Sequence, residues 1–386
     1  MGYDRMKRKI LYVSGSRADY GLMRSVLFRI KNHPYMELHI AATGMHLMPE
    51  FGNTINEIRQ DGFSCHRVEV TYTEDTKESM ALFIGGFIQH FVQLVQEIHP
   101  DIILILGDRG EMLGAAIVGA YLGIPVAHIH GGEVTSTADE SARHAITKLA
   151  HIHFPATEGS AQRIIKMGED PRNVFVAGAP GLDEMMRLPP ASVKEVAERY
   201  DIDPSVPLIL LIQHPVPLEP GDPSTQMEET LKAVCSFPYR VFVIYPNADA
   251  GGRQMIDVIK KYELHTNVQT FQSLRHGDFL ALLKLSSVIV GNSSSGIIEA
   301  PSFGVPAINI GSRQNGREKG ENVIDTGYHS DDITAAMNRA LYNDEFKRKV
   351  KTAINPYGNG NSSEKITDIL ENVVITPELL QKRMMY

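Results

Sequence analysis

The stretch "VAHIHGGE", residues 126–133, sets two imidazoles two positions apart and a carboxylate three residues after the second. On a strand the two rings share one face, so with Glu133 they offer three ligands in the style of a zinc site, or else an acid–base group. No further His-rich spacing closes a metal shell around them. Neighbouring motifs add charge. "LGDRGE" (106–111) ends an apolar run with Asp108, Arg109 and Glu111, and chemistry gathers at the carboxyl ends of such strands. "ADESARHA" (138–145) opens a helix with acidic residues, where helical spacing sets Asp139 with Arg143 and Glu140 with His144.

Two further turns are suited to phosphate. "SGSRADYGLM" (14–23) places small residues and then Arg17 at the mouth of a helix, and a guanidinium grips phosphate oxygens in pairs. "VIVGNSSSGIIEA" (288–300) ends a strand in small residues, with Ser293 and Ser294 able to cap the next helix and Glu299 one to two turns in, within reach of a ribose. "LIQHPV" (211–216) puts His214 where another strand ends. The polar loops "PNADAG" (246–251), with Asn247, and "GSRQNGREKGENV" (311–323), with Arg313, carry groups that can hold a nucleotide. Each motif also has a plain structural role as an N-cap, a turn or a solvated surface. Neither GxGxxG nor a Walker sequence is present, so the fingerprints support neither NAD nor ATP.

The elements that must position these groups alternate short β-branched runs with longer amphipathic stretches, the pattern of a parallel sheet with helices on both faces. Strands are expected at 10–15, 38–44, 101–108, 126–130 and 174–180, then at 208–215, 240–247, 288–296 and 307–313. The rhythm breaks near residue 185 at "RLPPASVKEVAERYDIDPSVP" and restarts after it. The fold class is therefore α/β: two Rossmann-like doubly wound domains, 1–184 and 185–361, facing a cleft lined by the carboxyl ends of the strands. The helical stretch at 362–386 is expected to pack back on the first domain.

At 386 residues the chain suits two cores of roughly 150 to 200 residues each. It is 43% hydrophobic and 22% charged, with a net charge of -8 and only scattered Lys and Arg. Nucleic-acid and anionic-membrane partners are therefore not expected. The first apolar run is far below the roughly 18 residues that span a bilayer. Cys65 and Cys235 lie far apart with no CxxC, which fits a reducing cytoplasm.

Taken in order and spacing, "SGSRADYG", "LGDRGE", "HIHGGE", "DESARHAITKLAH", "QHP", "GNSSSGIIE" and "NIGSRQNGREKGENV" resemble the hydrolysing UDP-N-acetylglucosamine 2-epimerases of bacterial sialic-acid biosynthesis. The resemblance runs over roughly residues 9 to 325. It implies a GT-B glycosyltransferase-like fold, a homo-oligomer (dimer or tetramer), and a UDP-sugar as the small-molecule partner, with no cofactor and no metal. The implied reaction eliminates UDP from C1 and C2 of UDP-N-acetylglucosamine to give 2-acetamidoglucal, then adds water to release N-acetylmannosamine. By motif, Asp108 and Asp139 match catalytic acidic positions, and Glu133 is the third carboxylate. Relatives of the vertebrate and non-hydrolysing types have Glu where this chain has His130, so either His130 or Glu133 fills the matching place. His214 resembles a histidine near the diphosphate. Arg17, Ser293 and Ser294 match phosphate contacts, Glu299 the ribose contact and Arg313 a further UDP-side group. Arg109, Arg143, Asn247 and His46 are supporting candidates. Rival expectations are the same chemistry on UDP-2,4-diacetamido-2,4,6-trideoxyglucose, a UDP-sugar glycosyltransferase that needs an acceptor, and a sensor that binds without turnover.

Overall fold

The computed structural model of the protein describes residues 7–49, 53–70, 77–134, 139–187, 189–216, 219–246 and 251–385. The chain divides into two compact units, Met1–Glu184 with Tyr357–Tyr386, and Met185–Pro356.

In the first unit the order is β1 (Arg8–Ser14), α1 (Arg17–Lys31), β2 (Met36–Ala42), α2 (Ile55–Gln60), β3 (Cys65–Arg67), α3 (Lys77–Ile98), β4 (Ile102–Leu106), α4 (Gly110–Leu122), β5 (Val126–Ile129), α5 (Asp139–Leu149), β6 (Ile152–Phe154) and α6 (Glu158–Lys166). Among the described residues the sheet runs β3-β2-β1-β4-β5-β6, with every pairing parallel. Alternation along β1 feeds two cores. Ile10 and Tyr12 join the layer of α1, while Leu11 and Val13 join that of α3 and α4. Helix α3 is apolar and long enough to cross a membrane by composition. One face of it, Phe83, Phe87, Phe91, Val95 and Ile98, is nevertheless buried, and Phe87, Phe91, Val95 and Ile98 pack with β4 and α4.

The second unit follows α7 (Gly181–Met186), whose residues straddle the division, with α8 (Pro190–Arg199), β7 (Leu208–Ile212), α9 (Pro223–Cys235), β8 (Arg240–Ile244), α10 (Gly252–Tyr262), β9 (Val268–Phe271), α11 (His276–Leu285), β10 (Val288–Gly291), α12 (Ser295–Ile298), β11 (Ala307–Ile310), β12 (Val323–Thr326), α13 (Ser330–Tyr342) and α14 (Asp344–Thr352). Its sheet order, β12-β11-β10-β7-β8-β9, is the same doubly wound topology. In each sheet the order of strands reverses between two central parallel strands, β1 and β4 in the first and β7 and β10 in the second. Ligands bind beyond the carboxyl ends of strands at such points.

The chain then returns to the first unit through α15 (Ser362–Asn372) and α16 (Pro377–Leu380). The buried carboxylate of Asp183 accepts from the amides of Ser362 (3.0 Å) and Ser363 (2.7 Å), satisfying two free N–H groups at the start of α15. Ile366, Leu370 and Leu379 complete the core around Ile10 and Tyr12.

Two sequence expectations are corrected. Residues 174–180 form no strand: Val174 makes one bridge to His153, and the run bends at Gly178 (φ 89°), where a Cβ would stand 2.9 Å from the Tyr357 carbonyl. The edge strand there is β6 instead. The strand at 126–130 stops at Ile129, because His130 turns to φ 63°, the left-handed region.

Candidate active site

Three chain turns meet at the carboxyl edge of the first sheet. After β4, Gly107 takes φ 81° and its amide donates to the Ile129 carbonyl (3.0 Å), which presents Asp108 just beyond the strand. After β5, the sequence His130-Gly131-Gly132 makes a tight reversal. Gly132 has φ 73°, and a Cβ on it would meet the Ser160 carbonyl at 2.3 Å, so only glycine fits. Arg163 pins this turn by donating Nη1 to the Gly132 carbonyl (2.9 Å). The reversal returns buried Glu133 toward the sheet edge.

Arg143, buried on α5, joins these turns. Its Nη2 donates to Oδ2 of Asp108, and its Nη1 donates to Oε2 of Glu133 at 3.4 Å. Nδ1 of His130 lies 2.9 Å from Oε1 of Glu133, an ion-pair distance rather than an aligned hydrogen bond. One guanidinium thus bridges two carboxylates, with an imidazole beside the second. The guanidinium of Arg143, which helical spacing pairs with Asp139, reaches these two carboxylates. Asp139 is the first residue of α5, one turn before Arg143. Glu140 and His144 do come together, at 3.4 Å.

The two imidazoles of the "HIH" stretch are engaged differently. His128 is fully buried in β5 and its Nε2 lies 2.8 Å from the Gly107 carbonyl, which ties β5 to the turn after β4. Burial pushes its pKa down to about 3. Among the described residues, no group of three His, Cys, Asp or Glu side chains is arranged to hold a metal ion.

Beside this cluster, the turn after β1 holds a network centred on Asp19, a residue that sequence reasoning did not single out. Ser16 caps α1 in a reciprocal box with Asp19. Asp19 also accepts from the Gly15 amide (3.0 Å), the Tyr12 hydroxyl (3.2 Å) and the Ser14 hydroxyl. Ser14 Oγ meets Nε2 of His46 at 2.9 Å, and Nδ1 of His46 meets Thr54 Oγ1 at 2.8 Å. Burial pulls His46 down to about 4. A small-residue turn ending in "SRAD" is the local signal for the cap; His46 is a supporting candidate by resemblance alone, and Thr54 has no signal. Arg109 donates Nε to Oε1 of the buried Glu111 (2.5 Å), and that carboxylate lies against Gly15, where a Cβ would stand 1.7 Å from Oε1. Arg17 is exposed at the start of α1 and pairs with Glu57 at 3.1 Å.

In the second unit, the turns after β7 and β10 are locked together by Asn292. Its Oδ1 accepts from the His214 amide (2.7 Å), its Nδ2 donates to the His214 carbonyl (2.8 Å), and its own amide donates to the Ile212 carbonyl (3.1 Å). Its carbonyl accepts from Gln314 Nε2 (2.8 Å) and Arg313 Nη1 (3.3 Å). Gly291, at φ 122°, allows this approach: a Cβ there would overlap the Ile212 carbonyl at 2.0 Å. His214 and Arg313 are therefore brought to one buried asparagine, another residue that the sequence did not single out.

Helix α12 is shorter than expected. It has four residues; Ser293 Oγ accepts from the Ser295 amide (3.3 Å), while Ser294, at the cap position, makes no such bond with its side chain. Glu299 ends the helix rather than lying within it. Its Oε2 is buried without a partner among the described residues, and burial raises its pKa. Such an oxygen is short of a donor, which a ligand hydroxyl would supply. Asn247 lies outside the described residues.

The geometry agrees with what the chain resembles. The family model for UDP-N-acetylglucosamine 2-epimerase matches residues 29–371. A protein of Legionella pneumophila named UDP-N,N'-diacetylbacillosamine 2-epimerase (hydrolyzing) is 43% identical, covering 98% of this chain and 99% of its own. A UDP-N-acetylglucosamine 2-epimerase of Neisseria meningitidis serogroup B is 35% identical over 97% and 98%. The crystal structure of a Neisseria meningitidis UDP-GlcNAc 2-epimerase bound to UDP-GlcNAc superposes with a TM-score of 0.81 at 19% identity, covering 95% of this chain and 100% of that one. The shared architecture is a pair of Rossmann-like domains of the GT-B-like class.

Proposed function

Because the chain belongs to the hydrolysing UDP-N-acetylglucosamine 2-epimerase family, we propose that it converts UDP-N-acetylglucosamine and water to N-acetylmannosamine and UDP. The observation that carries this is the group formed by Asp108, Arg143, Glu133 and His130 at the carboxyl edge of the first sheet.

The reaction is a net elimination followed by a net hydration. First the C1–O bond breaks, UDP leaves and the C2 proton departs, which gives 2-acetamidoglucal. Water then supplies a hydroxyl to C1 and a proton to the opposite face of C2. The C2 proton is only weakly acidic, so C1–O cleavage runs ahead and positive charge builds on the ring. Asp108 and Asp139 steady that charge, and the His130–Glu133 pair moves the C2 proton. His214 assists the departing diphosphate; Arg17, Arg109, Arg313, Ser293 and Ser294 hold its phosphates, and Glu299 takes the ribose hydroxyls. No step calls for a redox cofactor.

The Legionella relative favours a second reading, the same reaction on UDP-N,N'-diacetylbacillosamine, which is UDP-2,4-diacetamido-2,4,6-trideoxyglucose. The two substrates differ at C4 and C6 and share the reacting carbons. Incubating the protein with each sugar nucleotide, without an acceptor, and quantifying free UDP decides between them. Release from neither sinks both readings, and release only with an added acceptor points to a glycosyltransferase. Two free cysteines fit a cytosolic protein, and the sequence resemblance supports a homodimer or homotetramer.

A further inference from the structure

Helix α5 carries Arg143, and its far end is held by an unusual partner. The last carbonyls of a helix have no partner within it. Here an ammonium meets them: Lys382 Nζ donates to the carbonyls of Lys148 (2.8 Å), Thr147 (3.3 Å) and Ala150. The same nitrogen lies 2.6 Å from Oε2 of buried Glu169. Glu169 also pairs with Lys148 Nζ (2.5 Å) and His153 Nε2 (3.2 Å). Burial opposes its ionisation, but those hydrogen bonds outweigh it and hold Glu169 at about 2.

The segment that delivers Lys382 is itself anchored. Thr376 caps α16, Leu379 sits in the core, and the Met385 amide donates to the Gly168 carbonyl (3.1 Å). His151, next after Ala150, continues the link: its Nδ1 accepts from the amide of Val126 (3.1 Å), the first residue of β5. Segment 376–385 therefore grips the end of α5, and His151 just beyond that end holds the start of β5. Those two elements carry Arg143 and the His130–Glu133 turn.

We propose that Lys382 is a positioning residue: by clamping the terminal carbonyls of α5 to Glu169, it sets the axial position from which Arg143 reaches Asp108 and Glu133. A positive charge at a helix C-terminus is favourable in itself. The added consequence is geometric, since a shift of α5 by about 1 Å would part the guanidinium from its carboxylates. The inference rests on the reading above that this group performs the chemistry.

The test uses the full chain with Lys382→Met, which keeps the apolar stem, and Lys382→Met/Glu169→Gln, which leaves no unpaired buried charge. UDP release gives kcat and KM, and hydrogen exchange reports on residues 139–150, with α13 as the internal reference. In both variants kcat is expected to fall about tenfold or more with KM little changed, as for misplacement of reacting groups. Exchange is expected to quicken over 139–150 and not in α13, and Lys382→Arg is expected to recover part of the lost kcat. Wild-type kcat in the double variant, or unaltered exchange over 139–150, overturns the proposal. If the wild type turns over neither sugar nucleotide, the functional reading fails, and the exchange comparison still decides whether Lys382 sets α5.

Discussion

Arg143 on α5 donates Nη2 to Oδ2 of Asp108, thirty-five positions earlier at the end of β4, and with Nη1 also reaches Glu133. The two carboxylates are thus presented as a unit. Replacing Arg143 by Ala leaves them crowded without their shared cation, and kcat for UDP release is expected to fall on the order of a hundredfold. Arg143→Lys offers one donor group instead of a fork and should recover only part of that loss. Wild-type kcat in Arg143→Ala would remove this cluster from the mechanism.

The His130–Glu133 pair is separable by substitution. Glu133→Gln keeps the shape and removes the base, while His130→Ala removes the ring and leaves a Cβ at the same left-handed backbone position. One of the two is expected to lose about a hundredfold or more in kcat, as loss of a positioned acid–base group does. Full activity in both variants contradicts the role assigned to this turn.

Asn292 satisfies both backbone groups of His214. Asn292→Ala leaves them without their partner, at a cost of roughly 1–3 kcal/mol in stability, and lets His214 drift. We expect kcat/KM to fall on the order of a hundredfold, as for a 1 Å misplacement. Steady-state kinetics beside a urea unfolding curve check both; a variant with lowered stability but wild-type kcat/KM would limit Asn292 to a scaffold role.

Much of this was legible in advance because the central strands are buried on both faces and read as apolar runs ending in Gly, Asp or His. The edges were not. β3, β9 and β12 are only partly buried and β6 has three residues, so none of them reads as an apolar run that stands out. The motifs near 108, 133 and 214 were visible since they end strands. Their partners were not: Arg143 bridging Asp108 and Glu133, Asn292 clasping His214, and Lys382 reaching α5 all depend on residues brought together from distant positions. The length of α12 was overestimated because a serine-rich turn looks the same before a short helix as before a long one.

Gly15 leaves no room for a side chain. A Cβ would stand 1.7 Å from Oε1 of Glu111 and 2.5 Å from its carboxyl carbon. Gly15→Ala should displace Glu111, and with it Arg109, at a cost of about 1–3 kcal/mol for overpacking. A urea midpoint unchanged from the wild type would show that Glu111 yields freely.

Acid should weaken the first unit in a defined window. Burial holds His46 near 4, His128 near 3 and His151 near 4, against 6.5 for an ordinary imidazole. The unfolded chain therefore binds protons that the folded one refuses, and this stability is full above about 6.5 and declines as pH falls toward about 3. The urea midpoint should drop steadily over that range, and less so in His128→Asn. A flat midpoint there contradicts the burial of neutral imidazoles.

The most direct measurement of the central claim is proton NMR of the protein acting on UDP-N-acetylglucosamine, and separately on UDP-N,N'-diacetylbacillosamine, in deuterated water without acceptor. Elimination followed by hydration predicts free UDP together with a 2-epimeric sugar that carries deuterium at C2. Released sugar that keeps its C2 proton and its original configuration would mean simple hydrolysis, and no release from either nucleotide would contradict the account altogether.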